Sequence, residues 1–389
     1  MKRVRLGHVL RLRKEIVHPY EKPQGTATFV GLEHIEVGTG LRIGSLDVDL
    51  ARLTGRKPKF CKGDIVYGYL RPYLNKVWVA EFDGVCSVDQ YVYEVDRSLA
   101  DPEFIAWFMR SPDYLARARV ESGPGQLPRI RLEEVAAVEV GLPDLDGQRR
   151  LLNAIREQIG LAARARRATT AQLEAAQTLP SAYLRAIFAG REGRTWPVRK
   201  VAECCQRIDY GFTASAEPYS GGARFLRITD IQEGAVDWDL VPGCDISPAA
   251  EVEKKLLDGD IVFARTGGTT GKSFLIKHPP RAVFASYLIR LRPGEELVPE
   301  YLCAFFRSDD YWRQVRFSAR GGAQPNVNAT SLGNIQIPVP ALGDQQRVVA
   351  ALNARLGQAE RLLKEIDRRR TSVEALPPVL LHRVFGGWP

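Results

Sequence analysis

The chain repeats itself. Residues 102–119, PEFIAWFMRSPDYLARAR, recur as PEYLCAFFRSDDYWRQVR at 299–316, an offset of 197. GLPDLDGQRRLLNAI (141–155) recurs as PVPALGDQQRVVAAL (338–352), and LPSAYLRAIFAG (179–190) as LPPVLLHRVFGG (376–387), both at that same offset. Upstream, GDIV stands at 63 and 259, and FVGLEHIEVG (29–38) is similar to FLRITDIQEG (225–234), now offset by 196. Chance does not produce an ordered series of this kind. The period is also far too long for a solenoid. One architecture is used twice, with its joint near Arg194-Thr195-Trp196-Pro197.

Each copy has two parts. Residues 1–143 and 196–341 carry short runs of Val, Ile and aromatics punctuated by Gly and Pro, which predicts two compact domains with much strand. Residues 144–195 and 342–389 turn to Ala, Leu, Gln, Arg and Glu, which predicts a long helix in each, followed by a proline break and a short amphipathic piece. In the second helix Val349, Leu352, Leu356, Ala359, Leu363, Ile366 and Val373 follow alternating steps of three and four, interrupted by Arg370. In the first, Leu152, Ile155, Ile159, Ala162 and Leu173 lie on the equivalent line, with polar breaks at Arg166 and Thr169. So narrow a seam predicts a coiled coil. The competing reading, two surface helices packed on their own domains, would favour a wider apolar face. Arg166 corresponds to Leu363 and Leu173 to Arg370. A parallel pair in register would oppose unlike residues at both levels, so the expectation is an antiparallel pair. The fold class is α+β: two mixed α/β domains separated by two long helices.

The net charge of +9 is unevenly placed. Residues 1–143 hold 21 basic and 19 acidic side chains, and 196–341 hold 17 of each, so most of the excess lies on the helical segments. Any DNA binding by the compact domains must therefore rest on local clusters. The stretch RTGGTTGKS (265–273) ends like an ATP-binding P-loop, but Thr266 stands where the motif needs its first Gly. The residues that follow read as strand, whereas a phosphate loop needs a helix there. No run reads as a secretory signal or membrane span, and six cysteines without a C-x-x-C pair suggest thiols in a reducing cytoplasm.

In order and in duplicate, GDIVYGYLRPYLNKVWVA (63–80), GDIVFARTGGTTGKS (259–273), GGAQPNVNATSLGNIQIPVP (321–340) and the Gln345-Gln346-Arg347 helix opening resemble the specificity subunit of type I restriction–modification enzymes. The resemblance covers essentially the whole chain. It implies two target recognition domains, each reading half of a gapped site in double-stranded DNA. It also implies a spacer of two antiparallel helices that docks two methyltransferase subunits and, through them, restriction–translocase subunits. The chain itself would be non-catalytic and without a cofactor, its partners using S-adenosylmethionine, ATP and Mg2+. Two alternatives stay open: the specificity subunit of another restriction class with a fused methyltransferase–nuclease partner, and a coiled-coil scaffold that binds no DNA.

Candidate DNA contacts follow from side-chain chemistry. Arg and Lys fork onto guanine or phosphate, Asn and Gln onto adenine, and Tyr stacks or donates. The first loop offers Arg71, Tyr73, Asn75 and Lys76, and its counterpart Arg265, Thr266, Lys272 and Ser273. A second surface offers Gln126, Arg129 and Arg131, matched by Gln324, Asn326 and Asn328. Each of these residue types also occurs in ordinary turns and caps.

Overall fold

The repeat is a repeat of structure. In the first copy the strands β1 (Leu10–Leu12), β2 (Ile65–Gly68), β3 (Val77–Val79) and β4 (Gln90–Val95) are followed by helices α1 (Pro102–Met109), α2 (Leu145–Gln177) and α3 (Leu179–Phe188). In the second, β5 (Cys205–Tyr210), β6 (Ile261–Ala264), β7 (Ser273–Leu275) and β8 (Leu288–Pro293) are followed by α4 (Pro299–Phe305), α5 (Leu342–Glu374) and α6 (Leu376–Phe385). Both long helices have 33 residues and both short ones 10. The computed structural model describes residues 2–386 apart from 124, 233, 266–270 and 319–326, and within that range all side chains except those of 122, 123, 126, 317 and 318. The chain divides into two units, Met1–Thr170 with Arg368–Pro389, and Ala171–Asp367. The α+β class holds.

In the first unit an antiparallel sheet has the order β1-β4-β2-β3, and a five-stranded sheet contains one parallel pair, Thr26–Val30 beside Gly84–Cys86. In the second unit the order is β5-β8-β6-β7, and Arg224–Leu226 beside Ala282–Phe284 repeats the parallel pair. The GDIV motif explains itself here. Gly63 and Gly259 sit at φ 90° and 84°, where a side chain is strained. Asp64 and Asp260 are buried and accept the turn amides of Cys61 and Leu257 at 2.7 and 2.8 Å. The Ile and Val then alternate between faces. Ile65 enters the core shared with α1, and Val66 the smaller core with Phe60 and Trp78. Ile261 and Val262 do the same in the second unit.

Each long helix is fastened to its own domain by a glutamine. Gln148 is fully buried. Its amide accepts from Asp101 N at 2.8 Å and donates to Leu99 O and Pro143 O at 3.0 and 2.9 Å. Gln345 accepts from Val298 N at 2.8 Å and donates to Glu296 O and Pro340 O at 3.0 and 2.9 Å. The short helices cross over. The tail helix α6 belongs to the first unit, where Phe385 packs edge-on against Phe104 and Phe108 at 5.4 and 5.6 Å. Helix α3 belongs to the second, where Phe188 packs against Tyr301 and Phe305 at 5.5 and 5.3 Å.

The expected seam is visible as the least exposed line of each long helix. It runs through Leu352, Ala359 and Ile366 with half-buried Leu356 and Leu363, and through Leu152, Ile155, Ala162 and Thr169 with half-buried Ile159 and Leu173. Leu152 and Ile155 sit in the core of the first unit with Ile159 packed against it, and Leu352 sits in the core of the second with Val349 and Leu356 against it. Their burial is thus partly a domain anchor, as the competing reading had it. Among the described residues, no helix is long and apolar enough to cross a membrane.

Candidate nucleic-acid interface

Between β2 and β3 the chain makes a tight turn, Pro72–Leu74, flanked by Arg71 and Asn75, both left-handed at φ 51° and 49°. Such a conformation is costly for Arg and common for Asn. A second segment holds it in place. Arg71 N donates to Pro128 O at 2.7 Å, Ile130 N donates to Tyr69 O at 3.1 Å, and Leu70 bridges to Arg129. The two stretches singled out separately in the sequence, 71–76 and 125–134, are therefore zipped side by side. Arg71, Tyr73 and Arg129 project as exposed side chains from this joint platform.

Beside them Tyr69 and Tyr91 stack at 4.3 Å with their planes 18° apart. Sequence reasoning missed this pair, although Tyr67 and Tyr69 alternate along and just past β2 as Tyr91 and Tyr93 do along β4. Burial pushes the Tyr91 phenol up to about 12, so it stays a neutral donor, here to Ile130 O at 3.4 Å. Arg131 is exposed and ion-paired with Glu121 at 2.7 Å. Gln126 opens the strand Gln126–Arg129; its side chain lies outside the described residues.

Two candidates turn inward. Asn75 is buried and donates to Arg110 O at 2.6 Å, which fixes the turn on α1. Lys76 is half-buried and donates to Leu32 O at 2.5 Å. Short polar side chains in left-handed turns commonly satisfy nearby backbone, and Asn75 cannot reach a duplex without dismantling its turn.

In the second unit Ser273 opens a strand, which removes the P-loop reading. Lys272 is exposed, with no ion pair among the described residues. Arg265 lies over the Tyr210 ring at 5.1 Å, and its Nε is buried without an acceptor. Ser273 Oγ is likewise buried and unpartnered. Tyr311 donates to Gly271 O at 2.9 Å, and Gly271 has φ 80° against the Trp312 ring, so the loop's exit is anchored. Asn328 leaves the candidate set: its Oδ1 accepts Ser331 N at 2.7 Å and caps the helix Ala329–Gly333. Thr266, Gln324 and Asn326 lie outside the described residues.

Comparison with known proteins now gives these platforms a context. Residues 195–367, the second compact domain with most of α5, match the family model described as type I restriction modification DNA specificity domain. The resemblance to type I specificity subunits stands. The specificity subunit of the Escherichia coli enzyme EcoDI is 25% identical over 193 residues, 50% of this chain and 42% of that protein. That of the Salmonella potsdam enzyme StySPI is 28% identical over 161 residues, 40% of this chain and 32% of that protein. The matches thus span less than half the length of these relatives. The fold is shared throughout. A chain from a study of assembly and conformational transition in a type I system superposes with TM-score 0.77 at 20% identity, covering 98% of this chain and 96% of the other. The HsdS subunit of Thermoanaerobacter tengcongensis gives 0.69 at 20% identity, covering 99% and 96%.

Proposed function

We propose that this chain is the non-catalytic DNA-specificity subunit of a type I restriction–modification complex. Residues 1–143 and 196–341 are the two readers. The segments 144–195 and 342–389 form an antiparallel spacer that docks two methyltransferase subunits and, through them, the restriction–translocase subunits. S-adenosylmethionine, ATP and Mg2+ serve those partners, in the cytoplasm.

The observation that carries the reading is one strand pair used twice, β2 with β3 and β6 with β7, with different side chains around its joint. Arg71, Tyr73 and Arg129 on the first offer forked donors and a stacking ring. Arg265 and Lys272 on the second offer a ring-supported guanidinium and a point charge. Arginine suits bidentate contact with guanine, whereas a lone ammonium suits phosphate. Different platforms read different half-sites. A 33-residue helix is about 50 Å long at 1.5 Å per residue, so the half-sites are separated by a gap.

The test is methylome mapping in a host whose chain has residues 196–341 exchanged for the matching domain of a relative. One half of the methylated motif should change while the other half and the gap persist. Simultaneous change in both halves would sink the model of two independent readers.

A further inference from the structure

Each unit has a cavity beside the edge strand of its four-stranded sheet, walled by the first domain helix and the long helix. The two are counterparts, of about 710 Å³ in the first unit and about 790 Å³ in the second. Glu103, Trp107 and Arg110 of the first correspond to Glu300, Ala304 and Arg307 of the second. They differ in one respect that matters chemically. Arg307 is exposed, whereas Arg110 is only 7% exposed.

The Arg110 guanidinium lies 4.1 Å from the centre of the Trp107 ring and donates to Thr39 O at 2.9 Å. Its Nε has no acceptor, and no carboxylate among the described residues lies within 4.0 Å of it. The acidic residues of this cavity are engaged elsewhere: Glu103 with Arg156, Glu81 with Arg42 at 3.3 Å, and Glu374 with Arg370 at 3.6 Å. Burial drags the guanidinium down to about 10. Glu103 opposes this only through space, and a buried cation with no carboxylate in contact is unfavourable unless something supplies one. A cavity of roughly 300–1,000 Å³ with an apolar lining and few polar groups is the usual form of a small-molecule site.

We propose that the first unit's cavity binds a small amphipathic monoanion, a carboxylate carried on a flat apolar body. The carboxylate meets Arg110, and the body lies against Trp107, Val79, Ile159 and Ala162. Arg166 and Arg167 also line the cavity, but both are exposed and Arg166 is ion-paired with Glu36 at 3.2 Å, so Arg110 is its one buried charge and a monoanion matches it. The counterpart cavity is an internal control. It has an alanine at position 304 and its arginine is exposed, so the stoichiometry is one ligand per chain.

Isothermal titration of the full chain with 2-naphthoate, 2-naphthalenemethanol and acetate tests this. Naphthoate should bind one per chain. The neutral alcohol and acetate should bind about tenfold or more weakly, since each lacks either the charge-assisted hydrogen bond or the apolar contact. Arg110→Met should abolish the preference for naphthoate over the alcohol. Ala163→Trp fills the cavity from α2 while leaving Arg110 in place, and should abolish binding in a chain whose circular dichroism is unchanged. The Ala163→Trp result stands even if Arg110→Met does not fold. Two sites per chain, equal affinity for the alcohol, or undiminished binding by the folded Ala163→Trp variant would each overturn the assignment.

Discussion

Asp64 and Asp260 hold the same place in the two copies, yet their arginines come from different strands. Arg13, just beyond β1, donates to Asp64 through Nε and Nη2 at 2.7 and 3.2 Å. Asp260 is met by Arg292 of β8, at 2.7 and 2.8 Å, and fully buried Arg290 lies 4.0 Å from the same carboxylate. What the fold requires is a buried carboxylate that closes the turn and is itself neutralised. Which strand supplies the cation is free to vary. The same logic extends to the strands beside the candidate loops, where the pairing of β2 with β3 is kept as that of β6 with β7 and the outward side chains next to it change.

The largest expected effect comes from breaking these pairs. Asp260→Ala strands Arg292 beside Arg290 and should cost roughly 3–5 kcal/mol, the range for removing one partner of a buried pair. Asp64→Ala should cost less, about 1–3 kcal/mol, because Arg13 keeps Glu15 at 2.8 Å and Glu94 at 3.3 Å. Urea unfolding of each variant measures the difference. Equal costs would mean that the partner's strand of origin, and its remaining acids, have no energetic consequence.

The glutamine clamps sharpen the comparison from the other side, since here the copies agree in every bond. Gln148→Leu and Gln345→Leu each leave a backbone N–H and two carbonyls without their partner, at roughly 1–3 kcal/mol in all. The two losses should match, and the double variant should lose their sum, because the clamps belong to separate units. A marked inequality would show that one helix–domain junction is held mainly by something else. Phe385 and Phe188 are the first places to look.

Much of this was legible in the sequence, and the failures share a cause. The repeat, the 33-residue helices and their seams are written in periodicity, which depends on local geometry alone. The GDIV pair of strands is legible for the same reason. Asn75 and Asn328 misled because an exposed-looking amide in a loop and an amide that satisfies its own turn have the same composition; only the position of Arg110 O or Ser331 N separates them. Leu152, Ile155 and Leu352 lie on a seam whose first turns the domain itself claims, a tertiary fact that heptad spacing cannot carry. The Tyr69–Tyr91 stack was missed because cross-strand neighbours depend on register, and register requires knowing that β2 pairs with β4.

The smallest effect concerns the glutamates that open α1 and α4. Glu103 receives Arg156 of the long helix through Nε at 3.0 Å and also through Nη2, and this holds its carboxyl below the ordinary value of 4.5 against an opposing push from burial. A carboxyl depressed in the folded state stabilises the fold above its ordinary range, and that contribution is lost as pH falls through the folded-state value. Glu103→Gln should therefore lower the unfolding midpoint at pH 7. The cost should shrink steadily below about pH 4.5 and vanish once the native carboxyl is protonated. Because Arg156 is half exposed, the full effect is at most about 1 kcal/mol. Glu300 instead pairs at 3.2 Å with Lys277, a long flexible side chain outside the helix. Glu300→Gln should cost only a few tenths of a kcal/mol, as exposed single pairs do. Thermal unfolding of both variants between pH 3 and 7 distinguishes them. A Glu103→Gln penalty that stayed constant across that window would place its origin in packing against Trp107 rather than in the ion pair.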